Sequence, residues 1–90
     1  MTETTETMIK RLRMRSMRRG IKEMDLILSA FAQVHLDRMS ADELALYDRL
    51  LTENDHDLYG WVGGQFAVPD HYGSLIAQIA AQAEGVTRPA

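Results

Sequence analysis

Residues 21–35 read IKEMDLILSAFAQVH, and this stretch decides the fold. Its apolar side chains recur at steps of three and four, which is the period of one face of an α-helix. No segment of the chain alternates apolar and polar residues as a half-buried β-strand does. The stretch therefore predicts an amphipathic helix that continues to about Arg38. Its stripe consists of Ile21, Met24, Leu28, Phe31 and His35, widened by Ile27 and Val34.

The chain before this stretch predicts one more helix and a short arm. A helix from Glu6 to about Arg18 has an apolar face and an arginine-rich face. It ends at Gly20, which is expected in the left-handed conformation that commonly closes a helix. Residues 1–8 are rich in threonine and lack an apolar pattern, so we expect them to form a disordered arm.

The chain after this stretch carries two clear signals for helix starts. Ser40 and Glu43 have the spacing of a capping box, in which each side chain accepts a hydrogen bond from a free backbone amide. Asn54 or Asp55 can cap a short fourth helix, which Gly63-Gly64 terminates. These signals predict a third and a fourth helix.

The last helix is predicted from Pro69-Asp70 to Gly85. Trp61 is expected to be the large side chain of the core. Short connections favour antiparallel helix neighbours. The sequence thus predicts an all-α fold, a small compact bundle of about five short helices. It forms a single domain over residues 9–84, with a loose tail at 85–90.

Length and composition limit the class of protein. The chain has 90 residues, 46% of them hydrophobic and 26% charged, which is typical of one small globular domain. It has no cysteine, which excludes disulfides, thiolate metal ligands and a thiol nucleophile. No apolar run approaches the roughly 20 residues that cross a bilayer, and the N-terminus lacks the pattern of a secretory signal. We expect a monomeric protein of a bacterial cytoplasm with no membrane partner.

The histidines do not predict a metal site. His35, His56 and His71 lie in separate predicted elements, whereas zinc sites use paired ligands at helical spacing. Asp55 and Asp57 are interpreted as acids at the positive start of a helix. We therefore expect no metal ligand and no catalytic residue in this chain.

The charge of the chain is unevenly distributed. The net charge is -3, but residues 1–22 hold seven bases against two acids, and the rest holds three bases against eleven acids. A basic helix of this kind can bind an acidic protein surface, an anionic membrane or nucleic acid. The bases are Lys10, Arg11, Arg13, Arg15, Arg18, Arg19 and Lys22.

Residues 18–25 read RRGIKEMD and admit a purely structural explanation. Arginines stabilise the negative end of the first helix, and Glu23 and Asp25 lie in the positive first turn of the second. This explanation does not account for the mutual repulsion of so many bases. A partner surface of opposite charge would account for it.

The same residues resemble the SdhE family of succinate dehydrogenase assembly factors, also called flavinators. Arg19-Gly20-x-x-Glu23 matches the R-G-x-x-E motif of that family. The resemblance covers residues 15 to about 80 and weakens around Gly60, Gly63 and Gly64. Further matches in family order are Met39-Ser40-x-x-Glu43, Tyr47-x-x-Leu50-Leu51 and Asp55-x-Asp57-Leu58-x-x-Trp61.

The resemblance implies an accessory protein rather than an enzyme. Such a factor binds the flavoprotein subunit of succinate dehydrogenase and promotes covalent attachment of FAD to it. The resemblance leaves open whether the factor also acts on fumarate reductase. FAD would be the cofactor of the partner, and this chain would bind none stably. The motif residues would contact the partner, and Gly20 would let the partner backbone approach. The implied partner-binding residues are Arg15, Arg18, Arg19, Gly20, Lys22, Glu23 and Asp25.

An alternative function is a nucleic-acid-binding or antitoxin-like helical module that uses the arginines of the first helix on phosphates. The two helices joined at Gly20 resemble a helix-turn-helix. However, Glu23 and Asp25 would meet phosphates at the start of a recognition helix. We therefore favour the protein partner and expect no nucleic-acid partner.

Overall fold

The computed structural model describes residues 3–84, and these form five α-helices. Two 3₁₀ turns, Leu36–Arg38 and Asp70–Tyr72, extend α2 and precede α5. The described residues contain no strand, so the prediction of an all-α bundle of about five short helices is confirmed. The helices are α1 (Thr5–Ser16), α2 (Lys22–His35), α3 (Ala41–Leu50), α4 (Asp55–Val62) and α5 (Gly73–Ala83).

Helix α2 is the centre of the bundle and contacts α1, α4 and α5. Met24, Ile27, Leu28 and Phe31 of its predicted stripe are buried, as the helical period predicts. Ile21 and His35 are only partly buried, and Val34, expected to widen the stripe, is exposed. The hydroxyl of Ser16 donates to the carbonyl of Leu12 at 2.7 Å and lies 2.6 Å from the hydroxyl of Tyr47. Burial raises the pKa of Tyr47 to about 12. The largest fully buried side chains are Tyr47, Tyr72 and Phe31.

The start of α1 differs from the sequence prediction. The helix begins at Thr5, because the hydroxyl of Thr4 accepts a hydrogen bond from the amide of Thr7 at 3.1 Å. Residues 5–8, expected in a disordered arm, are therefore helical. The first two residues of that arm and the predicted tail at 85–90 lie outside the described residues.

The capping box before α3 is confirmed. The amide of Glu43 donates to the hydroxyl of Ser40 at 3.1 Å, and the amide of Ser40 donates to the carboxylate of Glu43 at 2.8 Å. The hydrogen bond from the backbone amide of Ser40 lowers the pKa of Glu43, and the Ser40 side chain lowers it further, because both favour the charged carboxylate. Local sequence spacing is sufficient to fix this helix start.

Residues 63–69, which we call the connection, link α4 to the second 3₁₀ turn. The amides of Gln65 and Phe66 both donate to the carbonyl of Gly60, at 2.8 and 3.1 Å. Gly64 has a φ of 78°, the left-handed conformation that glycine adopts without strain. The ring of Phe66 rests on Gly60, where a Cβ would lie 2.1 Å from it. Backbone hydrogen bonds and glycine together end α4 here.

The prediction that Trp61 is the large core side chain is wrong. Trp61 is only partly buried, and its ring packs at the edge of the core with its centroid 5.7 Å from that of Tyr72. Leu58, one turn earlier in α4, is fully buried instead. The helical period gives the direction of a side chain but not its depth, because depth depends on which helices cover it.

Candidate functional site

Residues 17–21, which we call the junction, connect α1 to α2 and contain the first two residues of the R-G-x-x-E motif. The Nε and Nη2 atoms of Arg19 both lie 2.8 Å from Oδ1 of Asp55, the first residue of α4. The guanidinium also donates to the carbonyls of Leu51 at 3.0 Å and Glu53 at 3.4 Å. Only 9% of the Arg19 side chain is exposed. Arg19 thus bridges the end of α3 and the start of α4, where helix dipoles favour a cation and an anion respectively.

Gly20 does not adopt the left-handed conformation expected from the sequence. Among residues 3–84, Gly64 alone has a positive φ. Instead, the amide of Gly20 donates to Oδ2 of Asp55 at 2.6 Å. A Cβ at position 20 would lie 3.0 Å from that oxygen, which is tighter than nine in ten real Cβ contacts. Alanine here would therefore require the carboxylate of Asp55 to shift by a few tenths of an ångström.

The first turn of α2 presents the remaining motif residue to solvent. Lys22 and Glu23 are exposed, and so is Arg18 on the other side of the junction. Asp25 is partly buried and accepts a 3.4 Å hydrogen bond from the hydroxyl of Ser29. Glu23 and Asp25 lie in the positive first turn of α2, as predicted.

Arg15 is partly buried and contacts α3. It donates to the carboxylate and the carbonyl of Asp48, and Arg11 donates to both oxygens of that carboxylate at 3.0 Å. Arg11 also pairs with Glu3 at 2.9 Å. The hydrogen bond from Arg11 lowers the pKa of Asp48, and the charges of Arg11 and Arg15 lower it further. These contacts join α1 to α3.

The basic helix is therefore largely neutralised within the chain. Arg11 and Arg15 pair with Asp48, Arg13 pairs with Asp37 at 2.8 Å, and Arg19 pairs with Asp55. Nucleic-acid binding through these arginines would require breaking the pairs before phosphates could replace them. The paired acids explain why the sequence tolerates so many neighbouring bases.

Sequence reasoning missed the two aspartates that organise this surface, Asp48 and Asp55. Asp55 was interpreted only as an acid at a helix start. A signal was present, since Arg11, Arg15 and Arg19 recur at every fourth residue and predict one arginine-lined face. The excess of acids after residue 22 supplies partners for such a face. Which acids the arginines meet depends on how α1 packs against α3 and α4, and the sequence pattern does not give that packing.

Three other observations limit the chemistry of the described part of the chain. Within residues 3–84, no group of three or more acidic or histidine side chains could hold a metal ion. None of the helices in that part is long and apolar enough to span a membrane. Surface hollows of that part include one of about 120 Å³ between α2, α4 and α5 and a more open one of about 410 Å³ beside α1, at most the lower end of the roughly 300 to 1,000 Å³ typical of pockets for drug-sized ligands.

The fold and the junction define a class: a small all-helical protein whose first two helices meet at a junction held by an ion pair to the start of α4. The family model described as flavinator of succinate dehydrogenase matches residues 10–83. The chain belongs to this family of succinate dehydrogenase assembly factors, as its resemblance to the SdhE family predicts.

Relatives in three eukaryotes agree with this family. A protein of Meyerozyma guilliermondii is 47% identical over 78% of this chain, and one of Schizosaccharomyces pombe is 40% identical over 80%. A protein of Drosophila yakuba is 40% identical over 96% of the chain. The chain spans 54%, 52% and 57% of the respective relatives. All three are named mitochondrial succinate dehydrogenase assembly factors, and this supports the prediction of an accessory factor rather than an enzyme.

The expectation of a bacterial cytoplasmic protein is contradicted by these comparisons. The relatives are named as mitochondrial proteins of fungi and an insect. The expectation came from the missing signal pattern in the first eight residues. A pattern at one end of a sequence was too weak a basis for a location.

Proposed function

We propose that this chain binds the flavoprotein subunit of succinate dehydrogenase and promotes covalent attachment of its FAD by stabilising a competent conformation. The observation that carries this proposal is the exposed first turn of α2, where Lys22 and Glu23 stand free beside an internally fixed Arg19-Gly20. The flavinator family supports the choice of partner and reaction.

The proposed docking surface consists of the exposed Arg18, Lys22 and Glu23 with the partly buried Asp25 at its edge. It combines both signs of charge within a short segment, which favours a partner surface with complementary charges. Arg15 and Arg19 act from behind this surface through their pairs with Asp48 and Asp55. We therefore assign these two arginines a supporting role rather than direct contact with the partner.

The chemistry would belong to the partner, whose histidine bonds to the flavin. This chain contributes by holding the partner so that the reacting groups meet, which lowers the entropic cost of the reaction. We place FAD in the partner, because a flavinator of succinate dehydrogenase acts on the flavin of another protein. A single copy of the bundle would bind through an interface of roughly 1,200 to 2,000 Å².

The test compares two exposed glutamates, each in the first turn of a helix. Glu23→Gln removes the charge of the proposed surface, whereas Glu6→Gln makes the same change in α1. We expect Glu23→Gln to weaken binding to the FAD-free flavoprotein subunit by about tenfold or more and to reduce covalent flavin, detected by fluorescence in a denaturing gel. Glu6→Gln should leave both unchanged.

The stability of both variants should match the wild type, since neither glutamate has a partner that carries the fold. Full affinity and full flavin attachment with Glu23→Gln would contradict the proposed function. The flavoprotein of fumarate reductase can be tested as a second client in the same assay.

A further inference from the structure

The pair of Arg19 and Asp55 is the least exposed ion pair among residues 3–84. Arg19 is 9% exposed and Asp55 is 19% exposed, whereas the arginines of the other pairs are 33 to 39% exposed. Both oxygens of Asp55 are occupied, Oδ1 by Arg19 and Oδ2 by the amide of Gly20. One carboxylate therefore fixes two consecutive residues of the junction.

The start of α2 has no side-chain cap from its own segment. At the starts of α1, α3 and α4, the side chain of Thr4, Ser40 or Asn54 accepts a hydrogen bond from a backbone amide. The corresponding residue of α2 is Ile21, which has no such side chain, and α5 also begins without one. Immediately before α2, the carboxylate of Asp55 accepts a hydrogen bond from the amide of Gly20. A side chain of α4 thus holds the backbone two residues before the first residue of α2.

We propose that Asp55 is a positioning residue for partner binding: its carboxylate holds Arg19 and Gly20 so that Lys22 and Glu23 are presented in the correct orientation. This inference rests on the proposed docking surface and assigns the motif two separate tasks. Arg19 and Gly20 form an internal latch with Asp55, and Glu23 contacts the partner. A side chain at position 20 would press on the Asp55 carboxylate, so the proposal explains the glycine by this internal contact rather than by approach of the partner backbone.

The test is a double-mutant cycle between Gly20 and Asp55, measured as affinity for the FAD-free flavoprotein subunit. Gly20→Ala should weaken binding by about tenfold in the wild-type chain but by less than about threefold in Asp55→Ala, where no carboxylate remains to be displaced. Asp55→Ala alone should weaken binding by about tenfold. The matched control is Asp57→Ala, which removes another acid from the same first turn, and it should retain affinity within about twofold.

A spectroscopic readout separates positioning from general loss of stability. The amide proton of Gly20 donates a short hydrogen bond to a charged group, so its NMR resonance should move upfield in Asp55→Asn. That variant keeps the size of the side chain and serves if Asp55→Ala does not fold. Binding is measured at a temperature where each variant is folded, and Asp57→Asn should leave the Gly20 resonance in place.

The outcomes distinguish this inference from the proposed function. Equal losses for Gly20→Ala in both backgrounds would overturn the latch, since Gly20 would then contact the partner directly. Wild-type affinity of Asp55→Asn with an unshifted Gly20 resonance would also overturn it. If Glu23→Gln binds normally, the proposed docking surface fails, whatever the cycle shows.

Discussion

Two glycine-containing segments join helices in this molecule, and they use glycine for different reasons. In the junction, Gly20 does not have a positive φ, and its lack of a side chain leaves space for the carboxylate of Asp55, which approaches within hydrogen-bonding distance. In the connection, Gly64 has open space where a Cβ would lie and is required because its φ is 78°. The first glycine provides space, and the second provides a backbone conformation.

The contacts that hold the two segments also differ in kind. The carboxylate of Asp55 and the carbonyls of Leu51 and Glu53 hold the junction through the side chain of Arg19, whereas backbone bonds to Gly60 hold the connection. A single substitution can remove a side-chain contact between residues distant in the sequence without removing the backbone hydrogen bonds of the helices. A surface built on such contacts is therefore suited to present binding residues, and the comparison predicts different responses to substitution.

The largest expected effect is that of Arg19→Ala in the junction. The substitution leaves the mostly buried Asp55 without its cation and the carbonyls of Leu51 and Glu53 without a donor. We expect a loss of about 3 kcal/mol in the free energy of unfolding, measured by urea denaturation. Arg18→Ala, at an exposed neighbour, should cost less than about 0.5 kcal/mol. Equal effects of the two substitutions would show that the junction is not held by charge.

The sequence predicts local features of this molecule better than contacts between distant residues. The helices and the capping box follow from residues within one turn of each other, so period and spacing are sufficient. The Arg19–Asp55 pair joins residues 36 positions apart, whereas the sequence indicated Arg19 only as a residue that stabilises the end of the first helix or contacts the partner. The same limit explains the error at Gly20, since its need for glycine comes from a side chain of α4 rather than from its own helix end.

Gly60→Ala should have the second largest effect and tests the connection. The new methyl group would overlap the ring of Phe66, which must leave its position on α4. Because Phe66 is about half exposed, the ring can move outward, and we expect a loss of about 2 kcal/mol. The paired control is Gly60→Ala combined with Phe66→Ala, in which the overlap is removed. If Gly60→Ala costs as much in the Phe66→Ala background, the ring is not the cause.

Gly64→Ala should cost less and should act only through the backbone. An alanine at a φ of 78° is strained by about 1 kcal/mol, although nothing lies near its Cβ. Gly63 has a φ of -81°, so Gly63→Ala should be neutral or slightly stabilising. Thermal unfolding of both variants provides the measurement. Partner binding should be unaffected by either change, in contrast to Gly20→Ala.

The smallest expected effect is an acid dependence of the contact between α1 and α3. The arginine contacts lower the pKa of Asp48 below its ordinary value of 3.8. A carboxylate with a lowered pKa stabilises the folded state above that ordinary value, and the stabilisation is lost as the pH falls through the pKa of the folded state. The difference in unfolding free energy between wild type and Asp48→Asn should be about 0.5 to 1 kcal/mol at neutral pH and should shrink below about pH 4. A difference between the two proteins that stays constant with pH would show that Asp48 does not stabilise α1 through its charge.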